Sequence, residues 1–206
     1  MPSRNIVKQF SDDQYYHVYN RGVEKRKIFT DEQDYTVFIG LIKKYLTGEA
    51  PADSKNRHKF KHLGDDVSIM SYCLMANHFH LLLHQKSDAG ISQFMRKLNT
   101  GYVMYFNNRH DRVGGLFQGV YKASHISSDP YLYHVSRYIH LNPVDYITYP
   151  YSSIKYYLNP SSTPEWFNTK RVTDLFDGSS KEYISFVEDY TMNEVEKADL
   201  KKIVAG

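Results

Sequence analysis

The chain has 206 residues, enough for one well-cored domain with a small extension. Hydrophobic residues make up 41%, charged residues 24% and the net charge is +3, values ordinary for a globular protein, with no apolar stretch long enough to span a membrane. The single cysteine, Cys73, excludes an intrachain disulfide and a Cys-rich zinc finger; together with the lack of an apolar signal-peptide core near Met1, it sets the expectation of a cytoplasmic protein.

In chain order, Tyr15 to Arg21 reads as a first strand ended by Gly22. Lys25-Arg26-Lys27 follows, a basic cluster suited to phosphate contact as well as to a solvated loop. Thr30 with Gln33 forms a capping box, and Tyr35, Phe38, Ile39, Ile42 and Tyr45 recur at helical spacing, predicting an amphipathic helix to about Leu46. Thr47 to Asp66 is polar and charged, with a second basic cluster from Lys55 to Lys61, and reads as a long loop.

The run Ile69 to Leu83 has the composition of one buried strand, and it contains His78-Phe79-His80. Residues i and i+2 of a strand share a face, so both imidazoles lie side by side while Phe79 points away. Two buried imidazoles need partners, and a shared metal ion supplies them at once; backbone carbonyls are the structural alternative. The pair by itself suits zinc hydrolases and oxygenases as well as other metal chemistry.

Asp88 is placed to cap the next helix, whose stripe is Ile91, Phe94, Met95, Leu98, Tyr102 and Tyr105. Arg109 to Gly115 reads as a loop and Leu116 to Ile126 as a strand. Asp129 as N-cap and Pro130 as first helical residue open a helix through His140, which must stop near Asn142 because Pro143 disfavours helix before it. His134, Tyr138 and Asn142 then lie one turn apart on one helix face. Beyond Pro150 the chain reads as an extension, with a linker at Ser161 to Pro164 and short helices near Val172 to Phe176 and Tyr183 to Tyr190. Residues 160–206 carry six Lys/Arg and nine Asp/Glu, a net of −3, so the remainder carries +6. Alternating strands and helices with long connections predict an α+β sandwich on a mainly antiparallel sheet.

Two segments, Met75-Ala76-Asn77-His78-Phe79-His80-Leu81-Leu82 and Arg137-Tyr138-Ile139-His140-Leu141-Asn142-Pro143-Val144, resemble the two signatures of the HUH single-tyrosine transposases, which act on single-stranded DNA. Tyr19-Asn20-Arg21-Gly22 and Gly115-Leu116-Phe117-Gln118 bring the resemblance closest to the REP-associated tyrosine transposase branch. The likeness covers roughly residues 14–155 and implies a ferredoxin-like or RRM-like sandwich, with 1–155 as catalytic domain and 156–206 as a C-terminal extension.

That resemblance implies His78 and His80 as ligands of Mg²⁺ or Mn²⁺ and Tyr138 as the nucleophile that forms a 5′-phosphotyrosine. Asn142 stands where relatives often place Gln or His as third ligand. Arg21, Lys25, Arg26, Lys122 and Arg137 become candidates for DNA contact. The partners implied are single-stranded and hairpin DNA and, as in some members, a second copy forming a homodimer; no membrane or organic cofactor is expected. A hairpin-binding protein of the same fold without cleavage is the alternative, suggested by the short Asn142 and the acidic tail. A zinc hydrolase unrelated to DNA would need a further His or carboxylate ligand, and no His-Glu-x-x-His helix is present.

Overall fold

The computed structural model describes residues 10–49, 62–87 and 89–189; the basic stretch from Lys55 to Lys61 and the cap expected at Asp88 lie outside them. Strand β1, Gln14–Arg21, matches the expected first strand. Helix α1, Glu32–Thr47, is capped by Asp31, whose carboxylate accepts the N–H groups of Gln33 and Asp34. The Thr30 capping box does not form. The Thr30 N–H and hydroxyl instead donate to Asp34 Oδ2 at 2.8 and 2.6 Å, one residue too early to cap.

The long apolar run is a hairpin rather than one strand: β2, Val67–Met75, turns at Ala76-Asn77 into β3, His78–Gln85. A single 15-residue strand would reach about 50 Å, well beyond common strand lengths. The turn is held by the segment that leaves β1. Ala76 O accepts from Ile28 N at 2.8 Å and Phe29 N at 3.1 Å, and Asn77 O from Gly22 N at 2.9 Å.

Helix α2, Gly90–Arg109, buries Ile91, Phe94, Met95, Leu98 and Tyr102, with Phe106 continuing the stripe where Tyr105 was expected. Strand β4 is shorter than expected, Lys122–Ile126. Ahead of it, Asn20 Nδ2 donates to the Gly119 carbonyl at 3.1 Å, so a side chain replaces the ladder there, and Phe117 makes only an isolated bridge to Gly22. Helix α3, Asp129–His140, is capped by Ser128 Oγ, which accepts from Tyr131 N; Asp129 is its first helical residue and pairs with Arg171. The helix stops at Leu141, two residues before Pro143.

The four strands form one antiparallel sheet in the order β2-β3-β1-β4. With α1 and α2 between strands, this is a βαββαβ ferredoxin-like sandwich, as expected. One sheet face is apolar: Phe79 meets Phe38 of α1, which in turn meets Tyr102 of α2. The other face carries His17, Tyr19, His78 and His80 and packs on α3.

The outer edge of β2 is covered by the chain beyond Pro150: Leu74 N donates to Tyr151 O, Ser153 N to Tyr72 O and Asn168 N to Ile69 O. Three short helices complete the described chain: α4, Ile154–Leu158; α5, Lys170–Thr173; and α6, Ser180–Glu188. Ser161 and Ser162, read as linker, close a 3-10 turn with Pro160.

Candidate active site

The hairpin turn decides where the two histidines sit. β3 starts at His78, directly after the turn, so His78 lies at the sheet end and His80 one repeat inward. In the antiparallel register Arg21 faces His78 and Tyr19 faces His80 across β1, all on one side of the sheet. Their rings are 5.0 Å apart and nearly perpendicular.

Each imidazole is fixed through its Nδ1. His78 Nδ1 is 2.6 Å from Asn77 Oδ1. Asn77 Nδ2 donates to the Lys25 carbonyl at 3.2 Å, which fixes the amide with its oxygen toward His78. With its proton on Nδ1, given to the shorter of its two amide contacts, His78 presents an Nε2 lone pair. His80 Nδ1 meets His17 Nε2 at 2.9 Å, leaving His80 Nε2 free of any hydrogen bond among the described residues. Burial pushes His80 well below the ordinary histidine range, with neighbouring His17, His78 and Arg21 adding to it. His78 is lowered mainly by burial as well. Both are neutral imidazoles at pH 7, the form that ligates metals.

Helix α3 brings in the second signature. The half-buried Tyr138 ring stands edge-on to His80 at 5.6 Å and to His17 at 6.1 Å, all within one chain. Past the helix end, Asn142 Oδ1 lies 3.1 Å from His78 Nε2. That contact is a hydrogen bond when His78 carries its proton on Nε2, and two converging donor atoms when it carries it on Nδ1. That separation is about the spacing of two adjacent ligands on an octahedral cation with bonds near 2.1 Å, and the N,N,O donor set suits Mn²⁺ better than Mg²⁺. Among the described residues no group of three His, Cys, Asp or Glu could hold a metal ion; His78, His80 and the Asn142 amide are the donors gathered here.

The basic candidates divide. Arg21 is exposed beside His78, and its charge acts on both histidines. Lys25 and Arg26 lie in the turn after β1; Lys25 is exposed, and Arg26 pairs with Glu24 at 3.2 Å. Lys122 lies over the Tyr19 ring at 5.9 Å, on the histidine face. Arg137 is the departure. Only 4% exposed, it donates to the Phe186 and Asp189 carbonyls and lies 4.1 Å over the Phe186 ring, so it anchors α3 to α6 instead of meeting solvent. His134 goes with it: His134 Nδ1 is 2.9 Å from Arg137 Nη2 and the ring packs on Phe186.

Residues 10–142, which hold the first signature and the second as far as Asn142, match the family described as Transposase IS200 like. The chain belongs to that family. It is therefore a transposase, an enzyme that processes DNA. Its fold is shared with a REP-associated tyrosine transposase whose structure holds a REP hairpin, with a TM-score of 0.57 at 13% identity over 81% of this chain and 92% of that one. A 1.90 Å crystal structure described as a transposase from Deinococcus radiodurans R1 aligns with a TM-score of 0.40 at 15% identity, over 68% of this chain and 95% of that one, too distant to bear on the fold. No curated protein sequence matches. Among the described residues of this IS200-like transposase, no helix is long and apolar enough to cross a membrane.

His17 is the site residue that sequence reasoning missed. It is fully buried, stacked on Tyr19 at 5.0 Å and bonded to His80. The signal was the alternation Tyr15, His17, Tyr19, Arg21 along β1, which sets these four on one face. Without the register, nothing in the sequence says that this face meets His80.

Proposed function

We propose that this transposase is a metal-dependent single-stranded DNA endonuclease and strand transferase working at hairpin-flanked sites through a 5′-phosphotyrosine. The observation that carries the reading is the meeting of Tyr138 with His80, whose ring stands beside His78, inside one chain. The hairpin bound by the structurally similar REP-associated transposase supports the choice of DNA substrate.

His78 Nε2, His80 Nε2 and Asn142 Oδ1 would hold Mg²⁺ or Mn²⁺. The cation, when bound, polarises a non-bridging phosphate oxygen and offsets the charge that builds on phosphorus. The chain's own residues do the rest. The Tyr138 hydroxyl attacks phosphorus, the bond from phosphorus to the 3′ oxygen breaks, and the leaving oxygen takes a proton to become a free 3′-hydroxyl. A tyrosine phenol, with an ordinary pKa of about 10, is protonated at neutral pH, so its placement against the histidine face matters more than its ionisation in solution. The phosphotyrosine preserves the ester, and a second 3′-hydroxyl can reverse the step and join strands. Arg21, Lys25, Arg26 and Lys122, on the same face or at the same sheet end, would take backbone phosphates.

This reading treats 1–155 as the catalytic domain and 156–206 as an extension whose described part braces α3. It needs no second subunit to complete the site. The binding-only alternative draws on the short Asn142 and the acidic tail; the 3.1 Å approach of Asn142 Oδ1 to His78 Nε2 supports counting Asn142 with the ligands.

The test is incubation with labelled single-stranded oligonucleotides carrying hairpins from the DNA flanking the gene, with Mn²⁺ or Mg²⁺, followed by denaturing electrophoresis. A covalent protein–DNA band is expected for the wild type, lost in Tyr138→Phe and on chelation. An equal band from Tyr138→Phe would remove Tyr138 as nucleophile.

A further inference from the structure

We propose that His17 is a positioning residue for metal binding: it accepts the Nδ1 proton of His80 and thereby holds His80 in the one tautomer that presents Nε2 to a divalent cation. The inference rests on the reading of His78, His80 and Asn142 as a metal site.

The geometry allows two proton arrangements across the 2.9 Å contact between His17 Nε2 and His80 Nδ1. In one, His17 donates from Nε2. The neutral His80 must then carry its own proton on Nε2, and a protonated nitrogen cannot ligate. In the other, His80 donates from Nδ1, its Nε2 lone pair is open, and the proton of His17 sits on Nδ1. Only the second serves a metal. His17 is 0% exposed and His80 3%, so water does not supply the alternative partner. The two rings lie 5.0 Å apart at 22°, with the Tyr19 ring beside both, 5.0 Å from His17 and 5.8 Å from His80, so the contact fixes ring orientation as well as tautomer.

His78 has a parallel arrangement, in which the Asn77 amide oxygen takes its Nδ1 proton. Each histidine of the pair thus has its own acceptor behind it, one from the hairpin turn and one from β1. His17 Nδ1 has no hydrogen-bond partner among the described residues. A buried donor left unmet is costly, so a residue with no task other than packing would be better replaced by an apolar one. Outer acceptors of this kind orient the ligand and raise its basicity, and removing one typically lowers metal affinity by about 10- to 100-fold.

The experiment pairs His17→Gln with His17→Met, side chains of equal length that differ in carrying an acceptor. Mn²⁺ affinity is read by electron paramagnetic resonance and by calorimetry, with His80→Ala as the site control and circular dichroism as the fold control. Expected are Mn²⁺ dissociation constants raised about 10- to 100-fold in His17→Met and largely restored in His17→Gln. The Mn²⁺ concentration for half-maximal adduct formation should rise in parallel, with near wild-type yield at saturation. Independently of any variant, ¹⁵N-histidine spectra of the wild type with Mg²⁺ should show the His80 proton on Nδ1. A proton on His80 Nε2, or a folded His17→Met with wild-type affinity, overturns the proposal while a loss in His80→Ala leaves the metal site standing. Wild-type protein that binds no Mn²⁺ sensitive to His80→Ala overturns both.

Discussion

At the scale of single residues, the histidine end of the sheet depends on close backbone approaches. Gly22 ends β1 where a Cβ would lie 2.2 Å from the Arg26 carbonyl and 3.0 Å from Ile28. Gly22→Ala should therefore cost about 2 kcal/mol, read as a lowered denaturation midpoint at unchanged slope. Asn77 works by a different route. Asn77→Ala removes the acceptor for His78 Nδ1–H, and calorimetry should show Mn²⁺ affinity down about tenfold with the fold intact. The two histidines and the tyrosine were legible in the sequence, because short spacing along a strand and a helix defines a face. His17 was not. It lies 63 residues from His80, and only strand register joins them.

Between elements, two polar links hold the helices. The first joins α1 to α2. Fully buried Asp34 accepts from Thr30, from Arg109 Nη1 at 2.7 Å and from Tyr105 OH at 3.1 Å, with His110 beside it. Burial alone would raise its pKa, but the hydrogen bonds from Thr30, His110 and Arg109 outweigh it and hold the carboxyl at about 2. The folded pKa is depressed, so the contribution is present above the unfolded value near 3.8 and disappears as pH falls toward 2. Its size is about 2 kcal/mol. Acid unfolding should show that loss between pH 4 and 2, and Asp34→Asn should flatten it while lowering neutral-pH stability by about 3 kcal/mol. The second link is a buried chain from Ser71 to Ser136, Tyr183, His140 and Ser153, each step 2.6 to 2.8 Å. Tyr183→Phe removes the hydroxyl that Ser136 and His140 Nδ1 share and should cost about 1–3 kcal/mol by thermal or urea unfolding. Element types were readable from periodicity, but boundaries and caps were not. A turn of Ala76-Asn77 lacks the glycine that marks hairpins, and Asp129 and Ser128 are equally good caps until Arg171, 42 residues on, takes Asp129.

Across the whole molecule, the sandwich splits its labour between two sheet faces. Aromatic packing of Phe38, Phe79 and Tyr102 holds the apolar side against α1 and α2, while the opposite side carries the histidines and α3. The α+β class followed from the alternation of elements. The coverage of β2 by residues 151–168 did not, because short polar segments with a few aromatics carry no periodic signal. The tie between α3 and α6 has a consequence in time. His140 and Tyr183 are 43 residues apart. A ribosome adding about 5–20 residues per second makes that stretch in about 2 to 9 s. For those seconds each nascent copy lacks the anchor behind the helix that carries Tyr138, so the face of His78, His80 and Tyr138 is among the last parts of the protein to be secured.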